Sequence, residues 1–207
     1  MMNTSKANYA VFWGSKLFWV GLLLGILTGL PILVSLSGVP FSTLPTVFVD
    51  FLALIGPYIL LSLFWGVIAL LYFYLIARSS IASKKSVLWV AAATTSLPFA
   101  VLTAFFTSNL IFFGGHASSD SLNIMYPLAG FLGGYTVLRG FSVFVPHMRF
   151  YDTASILAAS TFIPFFFFTL SGSQNPTVDM YVTWQTTILL MLGNVLYKTT
   201  RGTIIAP

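Results

Sequence analysis

Residues Phe51–Ala77, FLALIGPYILLSLFWGVIALLYFYLIA, run for 27 positions without a charged side chain. Wound as an α-helix at ~1.5 Å per residue, the stretch is roughly 40 Å long, more than the ~30 Å of a bilayer's hydrocarbon. It is long enough to cross with tilt or to extend past the lipid. Five further apolar segments lie around it: Leu17–Ser37, Val87 to about Phe106 with helix continuing toward Phe113, Met125–Val145, Thr153–Leu170 and Met180–Tyr197, the last two short for a full crossing. The chain as a whole is 57% hydrophobic and 6% charged, with a mean hydropathy of +0.94. A soluble globule carries about a quarter charged residues, so the expected fold class is all-α, a polytopic transmembrane helical bundle of about six spans.

The charges between these segments set the expected orientation. Lys6 and Lys16 precede the first segment, Arg78, Lys84 and Lys85 follow the second, Arg149 follows the fourth, and Lys198 and Arg201 follow the sixth. If six spans alternate, all of these fall on one face, while the other face holds Asp50, Asp120 and Asp179. Short cytoplasmic loops collect Lys and Arg, so both termini are expected in the cytoplasm. The expected organisation is a short cytoplasmic amino-terminal segment 1–16, a six-helix transmembrane domain 17–197 and a cytoplasmic tail 198–207, in a bacterial inner (plasma) membrane. The run from Leu17 to Ser37 is longer than a signal-peptide core and no A-x-A-like site follows it, which favours a retained anchor.

Nine Lys and Arg stand against four Asp, for a net charge of +5. The basic residues flank apolar segments, which leaves no soluble basic face to lie on nucleic acid. The chain has no cysteine, which removes disulfides, thiol catalysis and thiolate metal sites. His116 and His147 lack ligand-spaced partners, and no Ser-His pair, paired Asp residues or zinc motif falls within a segment. No enzyme, metal or cofactor is therefore expected. With no carboxylate inside a segment, proton- or sodium-coupled cation transport lacks its usual groups.

Arg139 is the charge placed well inside an expected span, a position that is costly and by default raises a functional hypothesis. It lies seven positions before Pro146, about 10 Å from the expected inner end, within reach of a snorkelling side chain. The structural role is the favoured expectation; contact with an anion or lipid headgroup is the alternative. Tyr135, Arg139 and Ser142 share one face of this helix as a candidate polar or binding face, and Gly130, Gly133, Gly134 and Gly140 cluster on the other side with Val137 and Phe144 nearby. Small residues let helix backbones approach closely in lipid, so a helix wedged between two neighbours is expected, ahead of one lining a cavity.

Ser96, Thr103 and Thr107 share a face of the third segment, and Thr187, Asn194 and Lys198 a face of the sixth; interhelical contacts are the favoured reading of both. Kinks are expected at Pro57, Pro98 and Pro164. Ala92–Phe99, AATTSLPF, aligns with Ala158–Phe165, AASTFIPF, at an offset of 66 residues. Two readings stand side by side: a duplicated hairpin of parallel repeats, and chance matching among common membrane residues.

Ala92–Pro98, followed by Tyr135-Thr-Val-Leu-Arg-Gly140 and Val145-Pro146, resembles the Yip (Ypt-interacting protein) family of polytopic membrane proteins. In that family an alanine- and hydroxyl-rich stretch ending in proline precedes a helix that closes on a tyrosine, a glycine and a proline. The family usually has five spans and a longer cytoplasmic amino terminus, and this chain departs from both. The resemblance implies membrane organisation or partner binding and carries over no catalytic residue. The expected function is thus a non-enzymatic scaffold or accessory subunit of a larger membrane complex, with the bilayer, other membrane subunits or further copies of itself as partners. A small permease or channel for a neutral, anionic or lipidic substrate is the alternative.

Overall fold

The computed structural model describes residues 12, 14–29, 48–78, 81, 83–111, 119–172 and 176–202. Among these the chain is all-helical: α1 (Lys16–Gly29), α2 (Phe48–Ile76), α3 (Ser83–Ile111), α4 (Ser119–Phe141), α5 (Phe150–Phe165) and α6 (Pro176–Gly202), with α5 widening into a π-helical turn over Phe166–Leu170. Two helical stretches, Tyr58–Ile76 and Phe150–Leu170, are long and apolar enough to cross a membrane by length and composition, and Lys16–Ile26 is a shorter apolar helix. The remaining helices are more polar. Lys84 and Lys85 open α3, Arg139 interrupts α4, and α6 carries Gln185, Asn194 and several threonines.

Each helix starts earlier than its apolar run suggested, and α3 and α6 also end later. The segment from Thr107 to Asn123, read as an outer loop, is helical over 107–111 and 119–123, and its middle, with His116, lies outside the described residues. Asp50, Asp120 and Asp179 belong to the first turns of α2, α4 and α6 rather than to loops, and Asp152 opens α5. All four aspartates of the chain thus belong to the first turns of helices, a position that the partial positive charge of unpaired amides favours for an acidic residue. That preference continues a helix past the end of its apolar run.

Consecutive helices pack antiparallel. α2, α3, α4, α5 and α6 contact one another in chain order and α6 returns to α2, closing a ring, while α1 lies against α2 and α6. The α1 contact is close because Gly21 and Gly25 remove side chains from its inner face. A methyl at Gly25 would lie 2.6 Å from the Thr186 backbone, and one at Gly21 would lie 2.5 Å from the Tyr72 hydroxyl oxygen. That hydroxyl donates to the Leu17 carbonyl at 3.0 Å, tying α1 to α2.

The core is aromatic and concentrated toward the end of the ring where α2 and α4 finish and α3 begins. Phe73, Trp89, Phe141 and Phe144 are buried with ring centroids 5.1–6.2 Å apart, mostly edge to face, an arrangement worth ~0.5–1.5 kcal/mol per pair beyond burial. The Trp89 indole N–H donates to the Gly66 carbonyl at 2.9 Å, which satisfies it in the core. Lys16, Arg78, Lys84, Lys85, Arg149, Lys198 and Arg201 lie at this same end.

Candidate functional site

The helix α4 is held between α3 and α5 by its glycines. Gly133 and Gly140 face Ala100 and Ala92 of α3; Gly130 and Gly134 face Ser160 of α5. The Gly130 contact has a specific cause. Pro164 has no N–H to give to the Ser160 carbonyl four residues earlier, and a methyl at Gly130 would run into that carbonyl and into the Pro164 ring. α5 remains helical through Pro164, and the irregularity emerges just beyond it as the π-helical turn, with the Ser171 N–H bonded to the Phe166 carbonyl at 2.9 Å. α3 and α4 likewise continue through Pro98 and Pro127. Pro57 lies within α2, at a position whose side chain falls outside the described residues.

Tyr135, Arg139 and Ser142 sit on the outside of α4. The Arg139 guanidinium lies 5.7 Å from the centre of the Tyr135 ring, and the Ser142 hydroxyl donates to the Arg139 carbonyl at 2.6 Å. Arg139 and Tyr135 are exposed and line no interior space. The same arrangement recurs twice. Arg78 lies 5.6 Å from the Tyr74 ring and donates from Nε to its hydroxyl at 2.9 Å, and Arg201 lies 4.7 Å from the Tyr197 ring.

The other polar faces resolve differently from one another. The Ser96 hydroxyl turns back to the Ala93 carbonyl of its own helix at 2.7 Å; the side chains of Thr103 and Thr107 lie outside the described residues. Asn194 is buried, Thr187 half-buried, and Lys198 ion-pairs with Asp152 of α5 at 3.6 Å, both side chains largely shielded. Among the described residues no three His, Cys, Asp or Glu lie close enough to hold a metal ion. The duplicated-hairpin reading gains a parallel in spacing: α2 ends at 76 and α3 starts at 83, α4 ends at 141 and α5 starts at 150. These positions are separated by 65 and 67 residues, against the offset of 66 in the sequence match.

Inside the ring, toward the end opposite the arginines, lies a polar and aromatic interior that the sequence reading did not single out. Tyr58, Ser62 and Trp65 recur along one face of α2 and are 1–2% exposed; Trp184 and Gln185 face them from α6, with the Trp65 and Trp184 rings 5.9 Å apart. The Ser62 hydroxyl bonds the Tyr58 carbonyl at 2.8 Å. The Tyr58 hydroxyl, both indole N–H groups and the Gln185 side-chain carbonyl are buried without a hydrogen-bond partner. Each such group costs ~1–3 kcal/mol to leave unpaired. The spacing of 58, 62 and 65 was a readable signal, masked by the uniform hydrophobicity of the stretch around it. The Gly21-Leu-Leu-Leu-Gly25 motif of α1 was likewise readable as a close-packing face.

A separate groove of about 530 Å³ lies on the outside between α4 and α5, lined by Pro127, Phe131, Leu157, Thr161, Phe162 and neighbouring apolar atoms. Comparison with known proteins identifies no relative: no family model, no curated protein and no solved structure matches this chain.

Proposed function

We propose that this chain is a six-span integral membrane protein with both termini in the cytoplasm, acting without catalysis as a scaffold or accessory subunit of a larger membrane complex. The observation that carries the reading is the distribution of polarity. The outer surface exposes Trp19, Leu60, Leu71, Leu75, Val87, Leu88, Phe162 and Leu170, whereas the basic side chains gather at one end. Exposed large apolar side chains on so many helices call for a bilayer or a partner surface. The aromatic packing of Phe73, Trp89, Phe141 and Phe144 fills the ring at the basic end, which favours a helix-contact role over an open channel. The resemblance to the Yip family points toward the same class of role, and a bacterial inner membrane is the proposed host.

Reporter fusions and co-purification test the reading together. A cytoplasmic signal is expected from fusions after Arg201 and within residues 78–85, and a non-cytoplasmic one from the 114–120 segment. Purification in mild detergent is expected to bring down membrane partners in fixed stoichiometry. A cytoplasmic 114–120 segment would overturn the topology, and a clean homo-oligomer would overturn the subunit role.

A second reading, a small permease for neutral cargo, is favoured by one observation: the unpaired polar atoms of Tyr58, Trp65, Trp184 and Gln185 inside the ring. An uncharged ligand with both hydrogen-bond donors and acceptors fits that chemistry. Thermal stabilisation of the purified chain by such a compound, lost in Gln185→Leu, would support it.

A further inference from the structure

We propose that the three tyrosine–arginine pairs at the basic end form a collar that binds the phosphodiester headgroups of anionic phospholipids, a role that rests on the membrane reading above. Tyr74–Arg78, Tyr135–Arg139 and Tyr197–Arg201 share one spacing, i to i+4, and one location, the C-terminal end of a helix that runs toward the basic end: α2, α4 and α6. In each, the guanidinium lies over the ring one turn back, at 5.6, 5.7 and 4.7 Å from its centre. Three of the chain's four arginines, which are Arg78, Arg139, Arg149 and Arg201, are used in this way.

Snorkelling alone does not account for the pattern. A lysine reaches the interface as well as an arginine does, and lysine is what the chain uses at the starts of α1 and α3, at Lys16, Lys84 and Lys85. At the tyrosine-paired positions it uses arginine each time. A guanidinium held by one face on an aromatic ring keeps its N–H edge free, and that planar edge matches two phosphate oxygens as an ammonium cannot. Arg78 spends its Nε on Tyr74 and keeps its terminal nitrogens. The ion pair found among the described residues joins Lys198 to Asp152, so no carboxylate there neutralises the three guanidiniums.

The neighbouring surface selects a lipid over a soluble phosphate. Leu71 and Leu75, one or two turns below Arg78, are 56% and 58% exposed, and Leu128 and Phe131 are exposed below Tyr135. A ligand that places a phosphate on the arginine and an acyl chain on these side chains satisfies both. Tyr197 differs from the other two tyrosines in being buried against Phe12, at 5.5 Å between rings, which fixes the Arg201 platform more firmly.

The test uses the full chain in nanodiscs of phosphatidylcholine alone or mixed with phosphatidylglycerol, with bound lipid counted by native mass spectrometry. Wild type is expected to enrich phosphatidylglycerol about tenfold per site, the ratio that corresponds to about 1.4 kcal/mol, the low end for a charge-assisted guanidinium–phosphate hydrogen bond. Combined Arg78→Lys, Arg139→Lys and Arg201→Lys keeps the charge and is expected to lose most of that enrichment, while Arg149→Lys keeps it. Single Arg139→Lys and Arg139→Gln variants, melting as wild type does in phosphatidylcholine discs, separate binding from folding. Full enrichment in the triple lysine variant would overturn the proposal, and so would stabilisation of the chain in phosphatidylcholine discs by inorganic phosphate. Incorporation into both discs without lipid preference would overturn the collar alone; a chain that enters neither would overturn the membrane reading itself.

Discussion

Three glycines within five residues of α4, Gly130, Gly133 and Gly134, offer a graded test of how the bundle is packed. A methyl added at Gly133 would sit 3.4 Å from the Ala100 methyl, a tight contact that a small shift relieves. At Gly134 it would sit 2.5 Å from the Ser160 Cβ, and at Gly130 it would strike the Ser160 backbone carbonyl, which no rotamer change can move. Gly→Ala within a helix carries the same intrinsic gain of ~1 kcal/mol at all three positions, so differences among the variants report packing alone. Overpacking typically costs ~1–3 kcal/mol, and a chain of this size loses about 2–4 °C of melting temperature per kcal/mol. Gly133→Ala should therefore melt at or above wild type, whereas Gly134→Ala and Gly130→Ala, with the helix gain subtracted, carry a net cost of ~0–2 kcal/mol and should melt about 0–8 °C below it in a detergent melting assay, Gly130→Ala the lowest. Ser160→Gly removes the side-chain atoms that the Gly134 methyl would meet. The pair should show a favourable coupling of ~1 kcal/mol or more in a double-mutant cycle, whereas Ser160→Gly should not rescue Gly130→Ala. Equal melting of Gly133→Ala and Gly130→Ala, or no coupling at 134 and 160, would refute this account of the α4–α5 contact.

Trp89→Phe removes the indole donor to the Gly66 carbonyl and part of the ring that fills the basic end; a loss of about 1–3 kcal/mol is expected, read as a lower melting temperature. Tyr72→Phe deletes the hydroxyl bonded to the Leu17 carbonyl, so amide exchange in 17–26 should quicken while 150–165 stays unchanged; uniform change across the chain would count against a local anchor. Asp152→Asn breaks the pair with Lys198 and removes a charge from the α5 N-terminus. The expected cost is ~1–3 kcal/mol, above that of an exposed pair because both side chains are largely shielded, and the gap between wild type and variant should narrow modestly as salt is raised. A gap that widens with salt would contradict the electrostatic assignment.

Much of the helix inventory was legible in the chain because apolar runs and charge clusters mark where helices lie and where they stop. Helix ends were less legible. Asp50, Asp120 and Asp179 read as loop charges by hydropathy, yet each opens a helix, since hydropathy registers the cost of burying a carboxylate but not its attraction to free amides. Pro164 read as a kink; the structure answers it with a π-helical turn that starts two residues later and with Gly130 against the freed carbonyl. The Tyr135, Arg139 and Ser142 face was visible as a helical stripe. That it is one of three similar tyrosine–arginine pairs was equally present in the spacing, but the pairs at 74–78 and 197–201 read as ordinary segment ends.

What the sequence determined by itself was local: apolar periodicity, charge asymmetry and small-residue stripes, each set by neighbours within a few turns of one helix. What only the tertiary structure decided was which stripes meet. Gly130 and Gly134 face α5 while Gly133 and Gly140 face α3, because a helix of 3.6 residues per turn points neighbouring positions about 100° apart and only packing selects the partner on each side. The interior of Tyr58, Trp65, Trp184 and Gln185 has the same origin. Its halves lie more than 100 residues apart in the chain, and they face one another because the ring closes α6 onto α2.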